Sequence, residues 1–174
     1  MNGDQLVVDK INGAVKDAIE EIVDFRGERT LFIKMNRLKK VCQLLRDDED
    51  LQYNFLSDIC ADDMLPDFPR YAVNYHLYSL PKNHRIRLRV WVEDPDKGPA
   101  TLDSLWPVAT WLEMEVWDLM GIKFSGNKSL RRLFLPEDWQ GHPLRKDYPL
   151  GYEEVQFSFN LDEIAAKKPF ATKE

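Results

Sequence analysis

The sequence has little cysteine. Cys42 and Cys60 are the only two in 174 residues, and neither belongs to a C-x-x-C pair. Two thiols cannot hold an iron–sulfur cluster that needs four protein thiolates. Cys42 shares a helical apolar side with Leu38, Val41 and Leu45, and Cys60 ends the apolar stretch "FLSDIC". Both read as buried, reduced, structural thiols. Long hydrophobic runs are absent too, and nothing approaches the roughly 20 apolar residues that span a bilayer. The start, "MNGDQLVVDK", has no basic region ahead of an apolar one, and it is not Arg-rich and acid-poor. Neither a secretory signal nor an organelle transit peptide fits it. Positive charge is the scarcer sign, with 24 Lys and Arg against 30 Asp and Glu. A net charge of -6 and a pI near 5.2 disfavour nonspecific binding of the whole surface to nucleic acid or anionic membrane. There is no H-E-x-x-H, no G-x-S-x-G, no P-loop and no dinucleotide-binding G-x-G-x-x-G. No internal repeat or low-complexity block is present.

What is present is the composition of a soluble globular protein, 44% hydrophobic and 31% charged, long enough for one domain with a proper core. Residues 4–24 begin as helix, with Leu6, Ile11, Val15, Ala18, Ile19 and Ile22 as apolar positions. Their later part, "AIEEIVDF", fits helix or strand equally by periodicity. "TLFIK" reads as a strand, and a hairpin around Gly27 is the preferred pairing. Asn36 is placed to cap a helix from Arg37 to about Arg46. "YNFLSDIC" reads as another strand. The clearest local feature is a hairpin of "YAVNYHLYSL" and "RIRLRVWVE" about the turn "PKNH". Ile86, Leu88 and Val90 alternate there with Arg85, Arg87 and Arg89, the period of a sheet with one wet face. The three arginines read as a solvated face or as a site for an anion or a partner's carboxylates. Pro107 suits the first turn of a helix to Met120, with Val108, Leu112, Val116 and Met120 as its apolar stripe and Gly121 as the stop. Residues 155–161, "VQFSFNL", form a short alternating, strand-like piece. The order of elements predicts an α+β fold. It is a small, mostly antiparallel sheet with helices packed on it, followed by a long extended C-terminal arm. The expected division is an α+β domain at 1–125 and a partner-binding arm at 126–174.

Candidate chemistry is sparse. Glu113, Glu115 and Asp118 crowd one helix. Glu115 and Asp118, three apart, are neighbours and would repel. Side by side, such acids suit acid/base work, a metal site or structural ion pairs. Buried carboxylates need partners, and Arg131, Arg132 and Arg145 follow, so structural ion pairs are the favoured reading. The histidines, His76, His84 and His142, have no i+4 partner. A metal site built from them with Glu113 or Glu115 is the competing enzymatic reading. Tryptophans stand at 91, 106, 111, 117 and 139; Trp139 reads as an anchoring contact rather than core. It lies in "EDWQGHPLRKDYPLG", residues 137–151, which fits neither helix nor strand yet is too specific for a linker. Such a segment offsets its ordering entropy only by packing on its own domain or on a partner.

Three stretches, "YHLYSLPKNHRIRLRVWV", "LWPVATWLEMEVWDLMGIKFSG" and "LRRLFLPEDWQGHPLRKDYPL", resemble the C subunit of the proton-pumping NADH–quinone oxidoreductase, respiratory complex I. The resemblance runs from about residue 54 to 150, and more weakly from about 22. The positions that carry it are Glu113, Glu115, Trp117, Asp118, Gly121, Arg131, Arg132, Pro136, Asp138, Trp139, Gly141, His142, Pro143, Arg145, Lys146, Asp147 and Tyr148. Met114 stands where the family usually has Arg, Met120 replaces a usual aromatic, and Asn127 and Lys128 replace a usual His-Pro. The resemblance implies a member of the peripheral arm with no catalytic residues and no flavin, cluster or quinone of its own; FMN and iron–sulfur clusters sit in partner subunits. It implies packing chiefly on the D subunit, the large one lining the quinone cavity, and also near the B and I subunits, with the arm wrapping these neighbours. It further implies no nucleic-acid partner, no transmembrane segment, and a peripheral place on the cytoplasmic side of the bacterial inner membrane. The chain reads as the unfused form. An equivalent component of a membrane-bound hydrogenase or related complex is the alternative within the same architecture.

Overall fold

The structure is a computed structural model that describes residues 3–149. The strand-like piece at 155–161 lies outside them. The described chain runs α1 (Gly3–Ala14), β1 (Ile19–Phe25), β2 (Glu28–Ile33), α2 (Leu38–Asp47), β3 (Phe55–Asp63), β4 (Tyr71–Ser79), β5 (His84–Val92) and α3 (Ala109–Met120). One five-stranded sheet, in the order β1-β2-β5-β4-β3, is antiparallel except between β2 and β5. This is the expected α+β fold.

Local chemistry explains both hairpins. "AIEEIVDF" resolves as strand, because Arg26 and Gly27 both take positive φ, 52° and 81°, and close a two-residue turn that aligns Phe25 with Glu28. The β4–β5 hairpin pairs Tyr71 with Val92 through to Ser79 with His84, and Asn83 supplies the positive φ of 48°. His84, expected in the turn, opens β5 instead, where its ring meets the Tyr53 hydroxyl.

The core lies between one sheet face and the helices. Ile86, Leu88, Val90 and Val92 of β5 point into it beside Leu31, Ile33, Val73 and Tyr75. α1 adds Val7, Val8 and Ile11; α2 adds Leu38, Val41, Cys42 and Leu45, the stripe expected of it. Cys42 and Cys60 are both free, Cys42 fully buried and Cys60 partly so; burial pushes both thiols up, which keeps them protonated. On the other sheet face the arginines are largely engaged. Arg87 Nε donates to Thr30 Oγ1 at 2.8 Å. Arg89 pairs with Asp62 at 3.1 Å and lies over Phe32 and Trp91. Only Arg85 is exposed.

Two helix starts differ from the expectation. Asn36 does not cap α2. It sits inside a 3-10 turn, Met35–Arg37, whose Arg37 N–H donates to the Lys34 carbonyl at 2.8 Å, so the α-helix proper begins at Leu38 with no side-chain cap. Pro107 lies in the turn before α3, where its carbonyl accepts from Thr110 N–H, and the helix starts at Ala109. The stripe of α3 is also shifted. Val116 and Met120 are buried as expected, but Val108 is 44% exposed. The buried face carries Ala109, Glu113, Met114 and Asp118 as well. Two of those are acids, which a hydrophobic stripe cannot anticipate.

Leu88 and Arg85 test this layering from one strand. Leu88→Ala should cost about 2–5 kcal/mol by opening a cavity in the core. Arg85→Ala should change stability by no more than about 0.5 kcal/mol. Paired urea titrations of the two variants check the contrast.

Candidate functional site

Five of the residues that carried the resemblance, Asp118, Gly121, Arg132, His142 and Arg145, gather at the end of α3. A helix leaves its last four carbonyls without intrahelical partners, and the partial negative charge there favours cations. α3 has no basic residue in its own last turn. Residues 130–149, which form no helix or strand, return to this end and supply what is missing. The Asp118 carbonyl accepts from Arg132 Nη1 at 3.1 Å and from His142 Nδ1 at 2.8 Å, which fixes the His142 tautomer with its proton on Nδ1. Leu144 N–H donates to the Leu119 carbonyl at 3.0 Å. Arg145 Nε donates to the Met120 carbonyl at 2.7 Å. Gly121 takes φ 74° and ends the helix as expected. A Cβ there would overlap Arg145 and His142, so the arm needs glycine at this point for close approach as well as for conformation.

The arm is pinned by the Asp118 side chain, which is fully buried. One carboxylate oxygen accepts from three successive backbone N–H groups, Leu133, Phe134 and Leu135, at 3.0, 2.8 and 3.1 Å. The other oxygen pairs with Arg132 Nη1 at 3.0 Å. Arg132 then reaches on to the Trp139 and Gly141 carbonyls, at 2.7 and 3.1 Å, and lies over the Trp117 ring. Burial pushes the Asp118 carboxyl upward, but the three N–H groups and Arg132 together outweigh it and hold the acid below its ordinary value. His142, also packed edge-on against Trp117, is shifted downward by its burial and by Arg145 and Arg132 nearby.

Further along, the arm clamps the loop between β3 and β4. Asp63, with its side chain 2% exposed, pairs with Arg70 at 2.8 Å and accepts from Lys146 N–H at 2.9 Å. Arg70 also pairs with Asp147 at 2.8 Å. Lys146 Nζ donates to the Leu65 carbonyl at 2.9 Å. Tyr71 has Arg70 and Arg145 over its ring. Arg70, foremost, holds Asp63 far below the usual carboxylate range. Sequence reasoning missed Asp63 and Arg70. The acid-rich "ADDMLPDFPR" with one closing cation was the available signal.

Glu113 corrects the expectation that arginines would meet every buried acid of α3. It is fully buried, yet its donors are neutral: Thr101 Oγ1 at 2.7 Å, Leu102 N–H at 2.8 Å and Asn127 Nδ2 at 2.9 Å. Arg132 and Arg145 go instead to the far end of the helix. Burial raises the Glu113 carboxyl above its ordinary value despite these bonds. Glu115 is half-buried and Arg131 exposed; neither makes an ion pair among the described residues. Pro136 and Asp138 are exposed, and the Pro136 carbonyl accepts from Trp139 N–H. Trp139 is half-buried, with its indole Nε1 buried and unpaired among the described residues. Pro143 and Tyr148 are half-buried, and Tyr148 packs against Gly141. The histidines do not converge. His76 faces Cys60 across the sheet, His84 faces Tyr53 and Asp4, and His142 caps α3. Among the described residues no group of three or more His, Cys, Asp or Glu is placed to hold a metal ion.

The arrangement fixes an irregular segment against the end of α3 and the loop after β3. Removing Asp118 would leave Arg132 buried without its counter-ion and three N–H groups without their acceptor. Asp118→Ala is therefore expected to cost about 3–5 kcal/mol at pH 7. The folded value of Asp118 is depressed, so its stabilisation is fully present above the unfolded aspartate value of about 3.9 and is lost as pH falls through the folded one. The gap between wild type and variant should narrow on acidification below that value. Denaturant titrations at a series of pH values measure it, and a gap that does not change with pH would contradict the assignment.

Comparison with known proteins agrees with this architecture. The family described as "Respiratory-chain NADH dehydrogenase, 30 Kd subunit" matches residues 31–154. The C subunit of NADH-quinone oxidoreductase from Roseiflexus sp. (strain RS-1) is 45% identical over 165 residues, 95% of each chain. That of Geobacter sulfurreducens is 44% identical over 134 residues, 76% of this chain and 82% of its own. Among solved structures, a trypsin-resistant fragment of Nqo5, residues 1–134, is similar with a TM-score of 0.58 at 31% identity, covering 72% of this chain and 97% of the fragment. A chain of the archaeal membrane-bound sulfane sulfur reductase has a TM-score of 0.71 over 94% of this chain and 90% of its own; at 19% identity it shows the fold alone. With the family matched over most of its length and near-complete relatives at 45% identity, the chain belongs to the 30 kDa-subunit family of respiratory-chain NADH dehydrogenase, which includes the C subunits of bacterial NADH-quinone oxidoreductases.

Proposed function

We propose that this chain works as a structural component of the peripheral arm of a proton-translocating NADH–quinone oxidoreductase, holding neighbouring subunits in register while other chains carry the electrons. The observation that carries the reading is the end-to-end match to the Roseiflexus C subunit, 45% identity over 95% of both chains. Its partners are other subunits of that complex. In finer terms, the chain contributes no flavin, cluster or quinone ligand of its own. It packs chiefly on the D subunit, with the B and I subunits nearby, on the cytoplasmic face of the membrane. Two cysteines are too few for a four-thiolate cluster. No helix among the described residues is long and apolar enough to cross a membrane.

The division into a body at 1–125 and an arm at 126–174 belongs to the same proposal. The body holds every helix and strand of the described chain, and the arm is irregular from Asn127 to Pro149. Its described residues, up to Pro149, do not hang free. Asp118, the α3 carbonyls and Asp63 hold it in one course, and from that course Phe134 and Leu144 stand exposed, with Phe68 on the loop it clamps. Exposed apolar side chains on a rigid irregular segment suit anchoring to a partner. A second reading, the equivalent component of a related membrane-bound complex such as a hydrogenase, draws on the fold likeness to the sulfane sulfur reductase chain.

Purification of an N-terminally tagged chain from gently solubilised native membranes tests the proposal. The B and D subunits, the flavin-bearing module and NADH–quinone activity should accompany it. The chain cut after Leu135 should keep the fold of its body and lose the D subunit. Full recovery of the D subunit with the cut chain would contradict the role given to the arm.

A further inference from the structure

A groove separate from the contacts described so far runs between the first turn of α3 and residues 128–131. Met114 and Leu130 line its apolar interior. Trp111 stands beside them 53% exposed. Lys128 and Arg131 are the charged residues of the lining, and both are exposed. In a chain with 30 acids and 24 bases, a cleft lined by two cations and no carboxylate departs from the surface around it. A tryptophan and an arginine flanking an apolar cleft are the residue types that carry most binding energy at interfaces.

The two walls are fixed to one another. Glu113, buried within α3, accepts from Asn127 Nδ2. Asn127 Oδ1 in turn accepts from Ser129 N–H at 2.8 Å, which sets the start of the second wall. Asp118, on the same helix, holds the far end of that wall at Leu133, Phe134 and Leu135. Residues 128–132 thus bridge two pins that both belong to α3. The cleft is formed before anything enters it, so an occupant meets little ordering cost.

We infer that this groove is a second docking site, and that its occupant is a segment of a neighbouring subunit in which an apolar side chain is flanked by carboxylates. The apolar side chain seats against Trp111, Met114 and Leu130, while the carboxylates meet Lys128 and Arg131. The inference rests on the proposed place of the chain in the complex. It also gives Glu113 a purpose that its neutral partners otherwise leave open: it positions the wall of the groove and touches no ligand itself.

The test uses the tagged full-length chain in the assembled complex, with a photo-cross-linking amino acid at position 129. Illumination should join it to a peptide of another subunit that carries an apolar residue flanked by Asp or Glu. Cross-links to residues 150–174 of the same chain, to a second copy, or to no protein would overturn the inference. In parallel, K128E combined with R131E should lower recovery of the complex by about tenfold or more. Melting of the isolated full-length variant should be unchanged, since both side chains are exposed. Undiminished recovery with the double variant, beside normal recovery with wild type, would overturn the groove alone. A wild-type chain that brings no complex with it would overturn the parent reading and this one together.

Discussion

One carboxylate organises the functional end of this molecule. Asp118 is fully buried and has no strand or helix to satisfy it. It takes three successive backbone N–H groups and one guanidinium from a segment that has no regular structure of its own. Converging N–H groups make a good anion cradle, and here the anion belongs to the body while the cradle belongs to the arm. Once Leu133 to Leu135 are fixed, Arg132 is committed to the helix end, and His142, Leu144 and Arg145 follow onto the remaining carbonyls. The arm completes the C-terminus of α3, and α3 gives the arm its shape. Neither half is satisfied without the other.

The two buried acids of α3 do different work with different chemistry. Asp118 meets charge and backbone N–H groups together, and is held below its ordinary value. Glu113 meets a hydroxyl, an amide and one N–H, and is raised. Two turns of helix therefore hold one acid tied to a guanidinium and backbone N–H groups and one left to neutral donors. For the holding role proposed above, the two acids divide the work. The charged knot secures a long segment that must not shift, and the neutral one sets a loop at the opposite end. The Asp63–Arg70–Asp147 chain adds a third fixed point near the sheet, so the arm is tied at both ends of its described course.

Much of the fold was legible because its signals are local. The β4–β5 hairpin announces itself through Ile86, Leu88 and Val90 alternating with arginines, and α2 through a clean 3.6-residue stripe. β1 was ambiguous because "AIEEIVDF" is too short for periodicity to decide; the turn at Arg26 and Gly27 decides it. The parallel pairing of β2 with β5 leaves no trace in either strand's pattern, since it depends on how α2, β3 and β4 return. At the site, charge made the Asp118–Arg132 pair foreseeable. Glu113 was misread for the same reason: its partners Thr101 and Asn127 are neutral and lie in loops, so no charge pattern points to them. The family resemblance located the residues of the arm but not their geometry, which is that of a segment folded back on its own helix.

The claim most exposed to test is that the arm is ordered by Asp118 in the chain by itself, before any partner arrives. Hydrogen exchange of the isolated full-length chain reads this directly. The Leu133, Phe134 and Leu135 amides should exchange far more slowly than an open coil and lose that protection in Asp118→Ala, while the β4–β5 amides stay protected in both. Coil-like exchange at these three amides in the wild-type chain would contradict it, and would mean that a partner, rather than the helix end, gives the arm its shape.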